Sequence, residues 1–135
     1  MAITPTYKSE NIFSDLDLDF TPHPVSGDIT ILRDSNAVKR AVRNTLFTGL
    51  YERPFNPEFG GNLKQLLFEP ASPLTANSIK TYIQDALKIY ENRVSIVELR
   101  VELDQDLLGY NVTLLFAIDS ISYIDTVQIF LERIR

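Results

Sequence analysis

Two glutamates, Glu52 and Glu58, stand in the stretch YERPFNPEFGG at residues 51–61. Paired carboxylates are the machinery of glycoside hydrolysis. A separation of about 5–5.5 Å suits retention, and about 6.5–9.5 Å suits inversion. Two glutamates at this spacing in a loop can satisfy either, so a peptidoglycan hydrolase using Glu52 and Glu58 is one reading. Its acid needs an apolar setting that raises the pKa, whereas Arg53, adjacent in sequence, lowers the pKa of a carboxylate it pairs with. The chain also has no tryptophan to stack on a sugar. The plainer reading is a stiff loop. Pro54 and Pro57 restrict φ, Phe55 and Phe59 are expected to anchor the loop on the core, and Gly60 and Gly61 let the chain turn into the next helix. Such a loop presents Glu52, Arg53 and Glu58 on a surface that is already ordered before a partner arrives.

Other groups with chemical capacity are weaker. Asp15, Asp17 and Asp19 imitate the start of a calcium loop, but Phe20 and Ser26 hold the positions where that loop needs Gly and a bidentate Glu. No metal site is expected, and no cofactor motif is present. His23, the single histidine, sits between Pro22 and Pro24 in a polar loop. Arg33, Lys39, Arg40 and Arg43 make a basic patch around the first helix, which reads as a solvated face or a surface for an acidic partner. In YENRV, residues 90–94, Glu91 and Arg93 project at a helix-to-strand corner.

These residues must be positioned by a single ordinary core. The chain has 135 residues, 44% hydrophobic and 23% charged, with a net charge of −5. That size suits one domain. The acidic balance argues against nonspecific nucleic-acid or anionic-membrane partners, which need a basic surface. With no cysteine there is neither a disulfide nor a thiolate nucleophile. No apolar run reaches the roughly 20 residues of a transmembrane helix. The segment MAITPTYKSE lacks a signal-peptide pattern, so a cytoplasmic origin is expected.

Residues 1–12 read as a flexible arm. In FSDLDLDF, residues 13–20, leucines alternate with aspartates as in a short edge strand. Asp34 or Ser35 is expected to cap a first helix carrying Val38, Ala41, Val42 and Leu46 on one face. Asn62 is expected to cap a short second helix, with Gln65 as capping-box partner. Thr75 is expected to cap a third helix over 76–90, whose apolar face is Ile79, Tyr82, Ile83, Ala86, Leu87 and Tyr90. The period then changes to two. Val97, Leu99, Val101 and Leu103 share one strand face, and Tyr110, Val112, Leu114, Phe116 and Ile118 share another. A third strand over 126–134 carries Val127, Ile129 and Leu131. Short links make this an antiparallel meander. The expected fold is α+β, a single domain over 13–135. N-terminal helices pack on a three-stranded antiparallel sheet, with an added N-terminal edge strand left open.

With these residues placed, the sequence resembles the baseplate wedge and sheath-initiator proteins of contractile phage tails, relatives of the small wedge subunit of type VI secretion baseplates. The resemblance runs from Phe13 to about Ile134. It rests on FSDLDLDF, on GDITILRDSNAVKRAVRNTLFTGLYERPFNPEFGGNLKQLLFE and on PLTANSIKTYIQDALKIYENR. The family carries a Glu-Pro-Arg corner that docks on the core bundle of larger wedge subunits. Glu91, Asn92 and Arg93 match it, with asparagine in place of the proline.

The resemblance implies a non-enzymatic structural protein of the virion tail baseplate, assembled in the host cytoplasm and present in several copies around the tail axis. It implies docking through Glu91 and Arg93, with Asn92 between them, and the stiff loop is expected to add Glu52, Arg53 and Glu58 as further partner contacts. It also implies an open strand edge that templates the first sheath ring by β-strand addition. The strands carrying Val112, Leu114 and Phe116, and Val127, Ile129 and Leu131, are expected to supply that edge. The implied partners are larger wedge subunits, the tail sheath protein and other baseplate or tube components.

Overall fold

The computed structural model describes residues 13–119 and 123–134. The expected arm at 1–12 lies outside them. The chain divides into two compact units, Met1–Ala37 and Val38–Arg135.

In the first unit, β1 (Ser14–Leu16) pairs antiparallel with β2 (Ile31–Arg33), Ser14 opposite Arg33. The alternation in FSDLDLDF therefore yields a shorter strand than its pattern suggests. This strand forms its own two-stranded sheet and does not extend the larger one. The chain leaves β1 through a turn in which Asp17 Oδ1 accepts from the Asp19 amide, and Phe20 takes φ 53°. Asp15 Oδ1 likewise accepts from the Leu16 amide. Two of the three aspartates thus serve local backbone. Among the described residues no group of three or more His, Cys, Asp or Glu side chains converges to hold a metal. His23 Nδ1 accepts from the Val25 and Ser26 amides, which makes it a loop-closing residue.

The helix α1 (Ser35–Phe47) crosses the unit boundary and buries Ala37, Val38, Val42 and Leu46. A short α2 (Leu63–Leu66) and a long α3 (Pro73–Tyr90) follow. Two expected caps are corrected. The Asn62 side chain makes no capping bond to α2. Ser72, not Thr75, caps α3: its side chain accepts from the Thr75 amide, and Pro73 takes the first helical position. There a missing N–H costs nothing, because that donor has no intrahelical partner anyway.

The strands β3 (Val94–Asp104), β4 (Gly109–Ile118) and β5 (Tyr123–Glu132) form an antiparallel meander with β4 in the middle. The fold class is α+β, as expected. The core takes Ile79, Ile83, Ala86 and Leu87 from α3, and Tyr110, Val112, Leu114, Phe116 and Ile118 from β4. α3 packs against β3. Each fully buried Ile, Leu, Val or Phe among them contributes about 1.5–3 kcal/mol through burial.

Val97 departs from the expected face. The β3–β4 register shifts between Ile96 and Glu98, and Val97 is 54% exposed. A bulge inserts one residue and changes the face of everything after it. Val94, Ile96, Leu99, Val101 and Leu103 are accordingly the buried or half-buried apolar residues of β3.

Candidate functional site: a corner, a loop and a strand edge

All the residues of this site belong to the second unit. At its centre is the corner that ends α3. The Glu91 amide donates to the Leu87 carbonyl and closes the helix. The Val94 amide then donates to the Glu91 carbonyl at 3.1 Å, which makes residues 91–94 a turn. Asn92 takes the second position of this turn, a position that favours proline, and it is exposed. The turn thus forms with asparagine in that place. Glu91 is buried, and its Oε2 accepts from an Arg93 terminal nitrogen at 2.8 Å. Its Oε1 accepts from the Thr45 hydroxyl at 3.3 Å. The Arg93 side chain is 38% exposed against 9% for that of Glu91. Of the charged pair, Arg93 is the one that faces outward.

The loop 51–61 is tied to this corner. The Phe59 and Tyr90 rings lie with centroids 4.5 Å apart, and the Tyr90 hydroxyl donates to the Glu58 carbonyl at 3.0 Å. The Arg53 guanidinium stacks over the Phe59 ring at 3.7 Å from its centroid. A cation over an aromatic face contributes about 0.5–1 kcal/mol at an exposed site. Glu52 pairs with Lys64 of α2 at 2.7 Å. Phe59 is therefore an anchor, as expected. Phe55 is not: it is fully exposed, as is most of Tyr51. The turn between these residues points Phe55 away from the body that Phe59 enters.

Two glycines fit the loop to its surroundings. Gly60 sits at φ +97°, and a Cβ there would strike the Thr48 carbonyl. A Cβ at Gly61 would strike the Tyr82 ring. Tyr82 and Tyr90 were legible only as an apolar helix face. Their use as a platform for the loop carries no sequence signal beyond that face.

Glu52 does not resemble a glycosidase acid in its electrostatics. The Lys64 hydrogen bond, helped by the Gly49 backbone, holds the Glu52 carboxyl below its ordinary range. A general acid needs a shift in the opposite direction.

The sheet corrects one expectation. β4 pairs with β3 on one side and β5 on the other, so its backbone has no open edge. Val112, Leu114 and Phe116 are core residues of a middle strand. β5 has β4 on one side and no strand on the other among the described residues. Ile129 and Leu131 of β5 face the core, and Val127 is half-buried. Anything added at this edge must pair with main chain. β3 is the other outer strand, and its bulge interrupts the ladder, a common guard against edge pairing. β5 pairs with β4 without a register shift from Tyr123 to Glu132. Two members of the basic patch have these partners: Lys39 pairs with Asp125 at 2.7 Å, and Arg43 lies over the Phe47 ring.

The family described as "Baseplate wedge protein gp25" matches residues 33–123, which include the corner and the whole 51–61 loop. The curated baseplate wedge protein gp25 of Enterobacteria phage T4 is 35% identical over 65 residues. That match covers 48% of this chain and 49% of the relative, so the chain spans about half the length of the curated relative it matches. Among solved structures, a putative tail lysozyme from Geobacter sulfurreducens superposes with a TM-score of 0.67 at 16% identity. It covers 73% of this chain and 89% of its own. A chain of the anti-feeding prophage baseplate gives 0.62 at 15% identity, covering 91% and 87%. A chain of the postcontracted pyocin R2 baseplate gives 0.51 at 20% identity, covering 82% and 96%. At these identities the structures support the fold. With the residue 33–123 match, the chain belongs to the baseplate wedge protein gp25 family.

Proposed function

We propose that this protein is a structural joint in the baseplate of a contractile tail, with no catalytic role. Its corner docks on larger wedge subunits, and the outer edge of β5 receives a strand from the first sheath ring. Residues 13–135 work as one domain. Several copies stand around the tail axis in the virion, after assembly in the host cytoplasm. The loop carrying Glu52, Arg53 and Glu58 flanks the docking corner.

The observation that carries this reading is the corner itself: a buried Glu91 paired with an outward Arg93, at the positions that match the family's docking motif. The strand-addition half is supported by the uninterrupted ladder of β5 on β4, in contrast to the bulged β3 at the opposite edge. Each added backbone hydrogen bond contributes only about 0.5–1.5 kcal/mol net. Repetition around a ring multiplies that into a firm template.

The test is baseplate assembly with Arg93→Ala. Loss of this chain from the assembled wedge supports docking at the corner, and normal incorporation sinks it. Truncating 124–135 is not a clean test of the strand edge, because it also removes the buried Ile129 and Leu131.

A further inference from the structure

Thr45 connects α1 to the docking corner. It is 3% exposed, and its hydroxyl donates to a carboxylate that is itself buried, at 3.3 Å. That carboxylate, Glu91, has one oxygen on Thr45 and the other on Arg93. A buried carboxylate is costly unless hydrogen-bonded and paired. Here one neutral donor and one cation meet that need. A group held from both sides inside the fold is poorly placed to touch a second protein. Arg93, with its side chain 38% exposed, is better placed. Arginine also loses much rotamer freedom when it is fixed, and its planar fork is effective only when aimed.

We infer that Thr45 and Glu91 are positioning residues, and that Arg93 is the corner's contacting group. Thr45 fixes the Glu91 carboxylate, and Glu91 fixes the guanidinium. The surface this suits on the wedge subunit is an exposed carboxylate, which the guanidinium meets with charge-assisted hydrogen bonds. The inference rests on the docking reading above. It adds a residue that the docking motif does not contain, and it moves Glu91 from contact to support.

The test measures capture of the full-length protein by a wedge complex assembled without it, with thermal melting as a check on folding. Arg93→Ala should weaken capture by roughly tenfold or more, as expected for a lost charge-assisted contact. Thr45→Val should weaken it by about three- to tenfold, and Thr45→Ser, which restores the hydroxyl, should recover most of that loss. In the Arg93→Ala background, Thr45→Val should have no further effect, because its action passes through Arg93. A purely structural role for Thr45 predicts losses that multiply in the double variant. If Arg93→Ala weakens capture but Thr45→Val does not, or if the two losses multiply, the positioning inference is overturned. If Arg93→Ala is captured normally, the docking reading fails first. Should Thr45→Val not fold, Glu91→Gln carries the same prediction, since it keeps an acceptor for Thr45 and loses the charge that aims Arg93.

Discussion

The Tyr90 hydroxyl donates to the Glu58 carbonyl at 3.0 Å, and this bond joins the 51–61 loop to the last residue of α3. Glu91 is the next residue. Two features that the sequence separates by two helices, α2 and α3, are thus joined.

Removing that bond should loosen the loop without undoing the fold. Tyr90→Phe keeps the ring against Phe59 and loses one exposed hydrogen bond, about 0.5–1 kcal/mol. Amide exchange at Tyr51 and Phe59 should speed up several-fold, while the core amides of β4 stay unchanged. Equal acceleration in both places would mean that the bond supports the whole fold and not the loop.

The approach of Gly61 to Tyr82 predicts a sharper effect. Gly61→Ala puts a methyl into the Tyr82 ring and should cost about 1–3 kcal/mol, read as a lower melting temperature. Adding Tyr82→Ala should recover part of the loss specific to Gly61→Ala. Independent, additive losses would show that the two residues are not in contact.

Asn92 offers a stabilising change. It occupies the second position of the 91–94 turn, and Glu91 before it, at φ −124°, lies outside the helical region that a following proline disfavours. Asn92→Pro should raise stability by about 0.4–1 kcal/mol through the unfolded state. A lower melting temperature would show that the turn's φ does not suit proline.

The Glu52–Lys64 pair sets a pH dependence with a definite sign. The Glu52 carboxyl is held below its ordinary value of 4.5, first by the Lys64 hydrogen bond. A depressed folded-state pKa contributes stability above the unfolded value, and that contribution is lost as pH falls through the folded one. The loop-to-α2 tie should therefore be complete at neutral pH and open only in acid below the usual carboxylate range. Both groups are largely exposed, so salt should weaken it. A side-chain NMR titration should show Glu52 moving up towards its ordinary value in Lys64→Met. No movement would place the cause elsewhere.

Much of this fold was legible because burial follows period. Ile79, Ile83, Ala86 and Leu87 repeat every three or four residues, and Tyr110 to Ile118 every two, and these positions fill the core. Where period is silent or misleading, so was the reading. Val97 continues the alternation in sequence but sits at the bulge, which no pattern marks. Phe55 and Phe59 are the same residue type in an aperiodic loop, so only backbone geometry separates the exposed ring from the buried one. Thr45 lies three residues beyond Val42, on the buried face of α1. No periodic pattern assigns it a partner, yet a buried polar residue on an apolar face is itself a sign that one is near.

The most direct test of the joint is a cross-link. The chain has no cysteine, so a single introduced one reports one place. Gln128 is exposed on β5, and Val97 is exposed at the bulge of β3. Gln128→Cys and Val97→Cys, each in assembled baseplates with a short thiol-to-amine cross-linker, should differ. The account predicts a covalent product between this chain and the first sheath ring from Gln128→Cys, and none from Val97→Cys. A sheath product from Val97→Cys alone would contradict it, as would normal sheath growth with no product from Gln128→Cys.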